Sequence, residues 1–469
     1  MLATDPAIAV VPLHAADALP AAGPDDILAQ VPQQAKTVRD TGLSLGFIVE
    51  LVAKAIYTGG KTHLPVLTGR LRLSINVLRE VLDSMLAEQM IEVAWRGDSD
   101  LDVQYQLTTG GKQRAADFLA RNRYVGPAPV TLAAYRDVVA RQSRQRPQAA
   151  RVGKADLLAA FADDGLDPAI VDQLGAALQS SRSLLLHGPS GAGKTTLARK
   201  LGQLQQGVVA VPYAVLIDHQ IVQVYDPLVH LAPSPLHARQ QEDRRSPDSR
   251  WALCQRPLVQ VGAELCADML DLRYDQATGV YYAPPHFMAN GGMLLVDDLG
   301  RQRVAAAELF NRWAGPLDAG ADQLTMDGGH KVSVPFDATL VMATNLAPQL
   351  LLDDAFLRRV GYKIQVGALA EAGYRALFRR QCRALRIACD DAVLEHLVMR
   401  LHAPSGRALL ASTPHELLAR IADFASYAGT PARLTIATLE QAWISLFASC
   451  GGAVAPAHPA SVHCGASIA

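Results

Sequence analysis

Residues Gly188-Pro189-Ser190-Gly191-Ala192-Gly193-Lys194-Thr195 place a glycine, four residues, a second glycine, a lysine and a threonine at the spacing that cradles phosphate. Glycines let backbone N–H groups close around phosphate oxygens, and a helix starting at the lysine turns its positive end toward the anion. In such a loop the Lys194 ammonium reaches the β- and γ-phosphates, the Thr195 hydroxyl ligates Mg²⁺, and Thr196 follows on the same turn. A second chemical signal lies about a hundred residues downstream, where the apolar run Met293-Leu294-Leu295-Val296 ends in Asp297-Asp298. Of two carboxylates at a strand end, one holds the Mg²⁺ shell and the other polarises an attacking water. Asp297 suits the first role and Asp298 the second. A third run, Thr339–Thr344, ends at Asn345, a polar side chain where strand tips face a ligand.

These residues need a scaffold that brings strand ends together. Leu184-Leu185-Leu186 is too short for a helix and meets the glycine turn directly; Leu197–Leu201 then reads as a helix, and Pro168–Ser180 as another leading in. Strand, loop and helix in that order are the context that the phosphate motif requires. The expected fold class is α/β: a parallel-sheet phosphate-loop core with a helical lid, preceded by a small α+β module.

At 469 residues the chain is long enough for about three domains and a sizeable core. A net charge of −1 with 19% charged residues implies no bulk attraction to nucleic acid or anionic lipid. Six cysteines (254, 266, 382, 389, 450 and 464) show no Cys-x-x-Cys spacing, which fits free thiols in a reducing compartment. No run of eighteen apolar residues suggests membrane insertion. Met1–Pro24 lacks the basic start of a secretory signal, so a cytoplasmic location is expected, with 1–35 as a disordered lead-in. The 13 histidines form no recognisable metal-ligand spacing, and Gly188–Ala192 does not fit the serine-hydrolase elbow.

Residues 36–125 read as a separate module. Leu45–Ile56 has helical periodicity with Thr41 or Ser44 as cap, a short helix covers Val66–Arg70, and a third starts from Ser74. Ile91–Trp95 and Val103–Leu107 then alternate as a hairpin around 97–102, and a Leu107-Thr108 pair caps a last helix. This is the order of a winged helix and resembles the end of many bacterial winged-helix domains. From Ser74 to Asp102 there are seven acids against Arg79 and Arg96, a sign that repels phosphates, so nucleic acid is the disfavoured partner and a protein substrate or adaptor the favoured one. Residues 126–154, with Pro, Gly and several arginines, read as a linker.

Taken in order, Gly188–Thr195, Asp297-Asp298, Asn345 and Arg358-Arg359 resemble the nucleotide machinery of an AAA+ ATPase, over roughly residues 155–445. The resemblance implies that ATP with Mg²⁺ is bound and hydrolysed and that Asn345 is a sensor. It makes Arg359 or Arg358 the finger that reaches a neighbouring subunit's γ-phosphate, and the active particle a homo-oligomeric ring, a hexamer. Ala289–Met293 is similar to the same stretch in enhancer-binding and MoxR-like ATPases, a branch with a hairpin before the sensor. Leu324–Val334, two alternating runs around Gly328-Gly329, supplies that hairpin. In such rings it commonly faces the pore, which implies work on a macromolecule. The loop with which enhancer-binding proteins engage their sigma factor is absent, and Asp298 stands where a longer Glu is usual, which predicts slow turnover.

The core is expected over 155–366 with an insertion at 205–290. Within it Tyr213–Asp226 forms two strand-like halves around Asp218-His219, and the Arg-rich stretch 240–256 suggests a partner platform. Four helical segments over 367–448 form the lid, with Arg407 and Arg420 as candidates for a second sensor, and 449–469 is a disordered tail. Two other functions remain open on the sequence: a transcription regulator binding DNA through the winged helix, and a nucleotide-gated scaffold that scarcely hydrolyses.

Overall fold

The computed structural model of the chain describes residues 31–97, 102–143, 152–205, 207–233 and 247–447. The expected disordered tail and all but the end of the lead-in lie outside them, as do Arg144, Arg146, Arg151, Arg244 and Arg245. The described chain divides into two compact units. One holds residues up to 157, 169–189 and 194–366; the other holds 158–168, the loop tip 190–193 and residues from 367 onward.

The first unit begins with three helices, Leu45–Gly59, Leu64–Leu71 and Ile75–Ala87. Ser44 and Ser74 cap two of them, accepting hydrogen bonds from Phe47 N and Val77 N. Their apolar faces, among them Ile48, Val52, Leu67, Leu78 and Leu82, form one buried cluster. Strands β1 (Thr62–His63), β2 (Ile91–Arg96) and β3 (Val103–Leu107) form an antiparallel sheet in the order β1-β3-β2. Thr108 then caps the helix Thr109–Arg121 through Gly111 N, 3.0 Å away.

Residues 126–154 differ from the expected linker. They contain β4 (Val130–Thr131) and the helix Leu132–Gln142, whose Tyr135, Val138 and Val139 are buried. The 3–4 spacing of those three residues supplies an apolar stripe among the arginines, and β4 pairs in parallel with a strand of the insertion.

The core strands are β5 (Leu184–His187), β10 (Leu258–Val261), β13 (Met293–Val296), β16 (Thr339–Thr344) and β17 (Tyr362–Gln365). They run parallel in the order β10-β13-β16-β5-β17, an α/β phosphate-loop core. Every residue of β13 and β16 is buried, which explains their unbroken apolar runs: helices cover both faces of a parallel sheet.

The insertion builds its own layer. Strands β7 (Ala214–Ile217) and β8 (Gln220–Gln223) form the hairpin expected around Asp218 and His219, both at positive φ. With β4, β11 (Arg273–Asp275) and β12 (Val280–Tyr282) they make the sheet β11-β12-β8-β7-β4. Beside it β6 (Val208–Pro212) pairs with β9 (Trp251–Gln255). The stretch expected to be a polar Arg-rich platform is partly interior: Arg250 is buried and grips the carboxylate of buried Asp248. The hairpin before β16 is β14 (Ala321–Thr325) with β15 (Lys331–Pro335); Gly328 and Gly329 turn at φ 87° and 81°.

The second unit is helical. Glu371–Ala384, Asp391–His396 running on as a π turn to His402, Ser412–Tyr427 and Ile436–Phe447 pack around Tyr374, Phe378, Leu417, Leu418 and Trp443. All four expected helical segments are present, each with shifted ends.

Candidate functional site

Three neighbouring parallel strands deliver the candidate residues to one edge of the core sheet, because β5, β13 and β16 all end there. Strand β5 runs into the phosphate loop, where Gly188, Gly191 and Gly193 have φ of 144°, 82° and 91°. At Gly188 a side chain would also lie 2.1 Å from the Val366 carbonyl, so this position excludes any Cβ. The helix Lys194–Gln203 begins where the loop ends, and its first N–H groups turn back toward it.

Lys194 is buried, and its Nζ donates to Gly188 O (2.9 Å), Pro189 O (2.8 Å) and Asn345 Oδ1 (2.8 Å). Burial pushes its pKa below the ordinary lysine value, and the charges of Asp298 and Asp297 act in the opposite direction. Asn345 uses its other end as well: Nδ2 donates to Asp298 Oδ1 across 3.1 Å. Beside this pair the Thr195 hydroxyl donates to Asp297 Oδ1 at 2.7 Å. Lys194, Thr195, Asp297, Asp298 and Asn345, far apart in sequence, therefore form one connected polar cluster. Asp298 is exposed and sits at φ 49°, a left-handed position that Asp tolerates better than most side chains. Ser190 and Thr196 are exposed, whereas Ala192 is buried.

The two candidate arginines stand outside this cluster. Arg358 and Arg359 end the short helix Asp354–Arg359. Arg359 Nε donates to Asp318 Oδ2 at 2.9 Å, an exposed ion pair, and Arg358 is exposed. Both border an open groove of about 1190 Å³, together with Arg182, Ser183 and Leu317. In the second unit the Arg407 guanidinium stacks over Phe447, 3.9 Å from the ring centre, and Arg420 donates to Glu416 O. Ser412 N donates to Gly191 O at 2.9 Å, inside that same unit.

One family model matches. It is described as "Domain of unknown function (DUF8689)" and covers residues 370–445, which fall in the helical second unit. The comparison with curated proteins gives no match. Among solved structures, NtrX from Brucella abortus in complex with ADP is similar at 16% identity, over 58% of this chain and 53% of that one, with a TM-score of 0.35. The complex of NtrX with ATP gives 14%, 61%, 55% and 0.37 in the same order. A RuvB Holliday junction branch migration motor from Thermotoga maritima is similar at 15% identity over 63% of this chain and 70% of that one, with a TM-score of 0.33. The chain thus spans about half the length of the first of these.

Sequence reasoning missed the supports of the cluster. Gln260, on β10 beside β13, donates to Asp297 Oδ2 at 3.1 Å and accepts from Arg199 Nε at 2.8 Å. Gln302 donates to the Asp297 carbonyl at 2.8 Å. Outside the cluster, Asp318 holds Arg359 and was likewise missed. The signal available for Gln260 was a lone amide inside the apolar strand Leu258–Val261; nothing in the spacing marked Gln302 or Asp318.

Proposed function

We propose that this chain is an Mg²⁺-dependent ATP hydrolase of the AAA+ type, which assembles into a ring and remodels a macromolecular partner, a protein by preference. The observation that carries the reading is the cluster in which Lys194 meets Asn345 and Thr195 meets Asp297 at the end of the parallel sheet. The residues present fit the groups that the reading requires. A loop of glycines at positive φ ending in a buried ammonium suits a polyphosphate, and a hydroxyl 2.7 Å from a carboxylate is a hard-oxygen pair suited to Mg²⁺.

In this reading the backbone N–H groups of Gly191, Ala192 and Gly193 and the Lys194 ammonium bind the β- and γ-phosphates of ATP. Thr195 and Asp297 hold Mg²⁺, which when bound neutralises phosphate charge. Asp298 accepts a hydrogen bond from the attacking water and so orients it for in-line attack. Asn345, already bonded to both Lys194 and Asp298, fixes the spacing between phosphate and water. Arg359, carried on the outward end of its helix, completes the site of the next subunit.

The module 36–125 reads as a winged helix that engages protein. The chain around the start of its helix Ile75–Ala87, the end that enters a DNA groove in helix-turn-helix relatives, is bonded to other parts of the chain itself. Ser74 Oγ donates to Ala35 O, Glu80 accepts from Val38 N, and Ser249 Oγ donates to Arg72 O. A second reading, a nucleotide-gated scaffold, is favoured by Asp298, whose carboxylate is one methylene shorter than Glu and engaged by Asn345.

The test is steady-state ATP hydrolysis against protein concentration for the wild type and Arg359→Ala, with oligomer size followed in parallel. A rate per subunit that rises with assembly, and an Arg359→Ala protein that assembles without hydrolysing, supports the ring ATPase. ATP-driven assembly with no hydrolysis in either protein supports the scaffold.

A further inference from the structure

The hairpin β14–β15 packs against the helix Leu132–Gln142 and the insertion. Its inward side chains Leu324, Met326, Val332 and Val334 lie in one apolar cluster with Tyr135 and Val138 of the helix Leu132–Gln142 and with Trp251 and Tyr281 of the insertion. Polar clamps run along it. Arg136 donates to Ser333 O (2.5 Å), Tyr281 OH accepts from Asp327 N (2.9 Å), and Asn290 Nδ2 bridges Tyr135 OH and Pro335 O. Ser143 Oγ donates to Asp337 Oδ1 at its base. The turn Asp327–His330 is exposed, as are Lys331 at the start of β15 and Gln323 on β14.

The insertion is fastened in turn to the N-terminal module. Arg250, 5% exposed, donates to Thr41 O (3.0 Å) and Pro129 O (3.2 Å). Arg123 N donates to Thr278 O, and Phe47 and Tyr124 pack on Ala214, Ile221 and Val280. From its other end the hairpin continues through Asp337 into β16, which finishes at Asn345 in the polar cluster.

We infer that the hairpin is an internal lever joining the Asn345 end of the site to the N-terminal module, so that this module is the output surface displaced by nucleotide. The inference rests on the nucleotide-binding reading above and assigns the hairpin a partner within its own chain. A strand whose side chains are interior moves only with what it is packed against, because close-packed cores shift between discrete arrangements and do not deform freely. Every joint from Asn345 to the Leu45–Gly59 helix is either a covalent strand, a buried apolar contact or a backbone-directed hydrogen bond.

Hydrogen exchange on the full-length chain tests this in two arms. Without nucleotide, Val334→Ala opens space in the shared cluster and is expected to speed exchange about threefold in β15 and in the helix Leu45–Gly59, with the second-unit helix Glu371–Ala384 unchanged. A change confined to β15, or one equally large in Glu371–Ala384, overturns the lever. With a non-hydrolysable ATP analogue and Mg²⁺, whose binding is followed separately by displacement of a fluorescent ATP analogue, protection is expected to change in β15 and in the module together. Binding with a response in β15 alone overturns it as well. A failure of the analogue to bind counts against the ATPase reading, and the nucleotide-free arm still decides the coupling.

Discussion

Lys194 Nζ lies 2.8 Å from Asn345 Oδ1, so the phosphate-loop lysine is held by the residue that ends β16. The same asparagine donates to Asp298, which ties the loop to the acidic strand. Removing either partner should therefore give different losses. Lys194→Ala takes away the only ammonium in the cluster, and nucleotide binding should fall below detection in a fluorescent-nucleotide titration. Asn345→Ala leaves that charge, so affinity should change little while kcat falls about 10²-fold through loss of orientation. Equal losses of affinity in both variants would remove Asn345 from the role proposed for it.

Asp298 is exposed and held at positive φ with one oxygen bonded to Asn345. Replacing it with Asn keeps the shape and the hydrogen-bonding reach but removes the acceptor charge. Asp298→Asn should bind ATP with near wild-type affinity and hydrolyse it about 10²- to 10⁴-fold more slowly. Single-turnover measurement under saturating ATP isolates the chemical step, and an unchanged rate there would make the scaffold the better reading.

Much of this site was legible because its signals are local. A glycine-dense turn between a strand and a helix, a carboxylate pair and an asparagine each at the end of a buried strand announce themselves in consecutive residues. The caps at Ser74 and Thr108 were legible for the same reason, and of the two candidates Thr41 and Ser44 the cap is Ser44. What was hidden depends on tertiary pairing. Strand β4 has two residues and exists only through its partner β7, and the arginines around Tyr135, Val138 and Val139 disguised a buried helix face as a linker. Arg250 sits in a polar stretch yet is interior, since Asp248 neutralises it and two carbonyls accept from its Nη1.

Asp322, on β14, is 1% exposed and bonded to His286 and Arg312. Burial works to raise its pKa, but hydrogen bonds from His286 and then Arg312 hold it down at about 2. A carboxylate whose folded pKa is depressed contributes stability that is fully present above its unfolded value, about 3.9, and is lost as pH falls through the folded value. Asp322→Asn should therefore destabilise by roughly 3–5 kcal/mol at neutral pH, where buried His286 and half-buried Arg312 lose their carboxylate. The gap from wild type should hold down to about pH 4 and narrow between 4 and 2. Denaturant melts at several pH values read this directly; a gap that is constant across that interval would mean the carboxylate charge contributes nothing.

The chain around the start of the module's helix Ile75–Ala87 is tied down by bonds from Ser74 to Ala35 and from Ser249 to Arg72, and the helix's exposed face carries Glu80 and Asp83. Binding of the full chain to duplex DNA should accordingly be no tighter than non-specific association and vanish by physiological salt. Specific binding that persists there, with a measurable slope of log K against log salt, would restore the regulator reading.

The proposed trans role of Arg359 makes the sharpest demand on assembly. Its ion pair with Asp318 is exposed and contributes at most about 1 kcal/mol, so the guanidinium is free to exchange one carboxylate for a phosphate. Arg359→Ala should assemble normally and lose about 10³-fold or more in kcat, with Arg358→Ala less affected. The decisive version mixes two inactive proteins. Arg359→Ala subunits keep an intact nucleotide site but offer no finger; Lys194→Ala subunits offer a finger but bind no nucleotide. Where a Lys194→Ala subunit presents Arg359 to an Arg359→Ala neighbour, one complete site is rebuilt, so the mixture should hydrolyse ATP although neither component does. Hydrolysis that stays absent in mixed, size-verified assemblies would mean that Arg359 serves its own subunit or none.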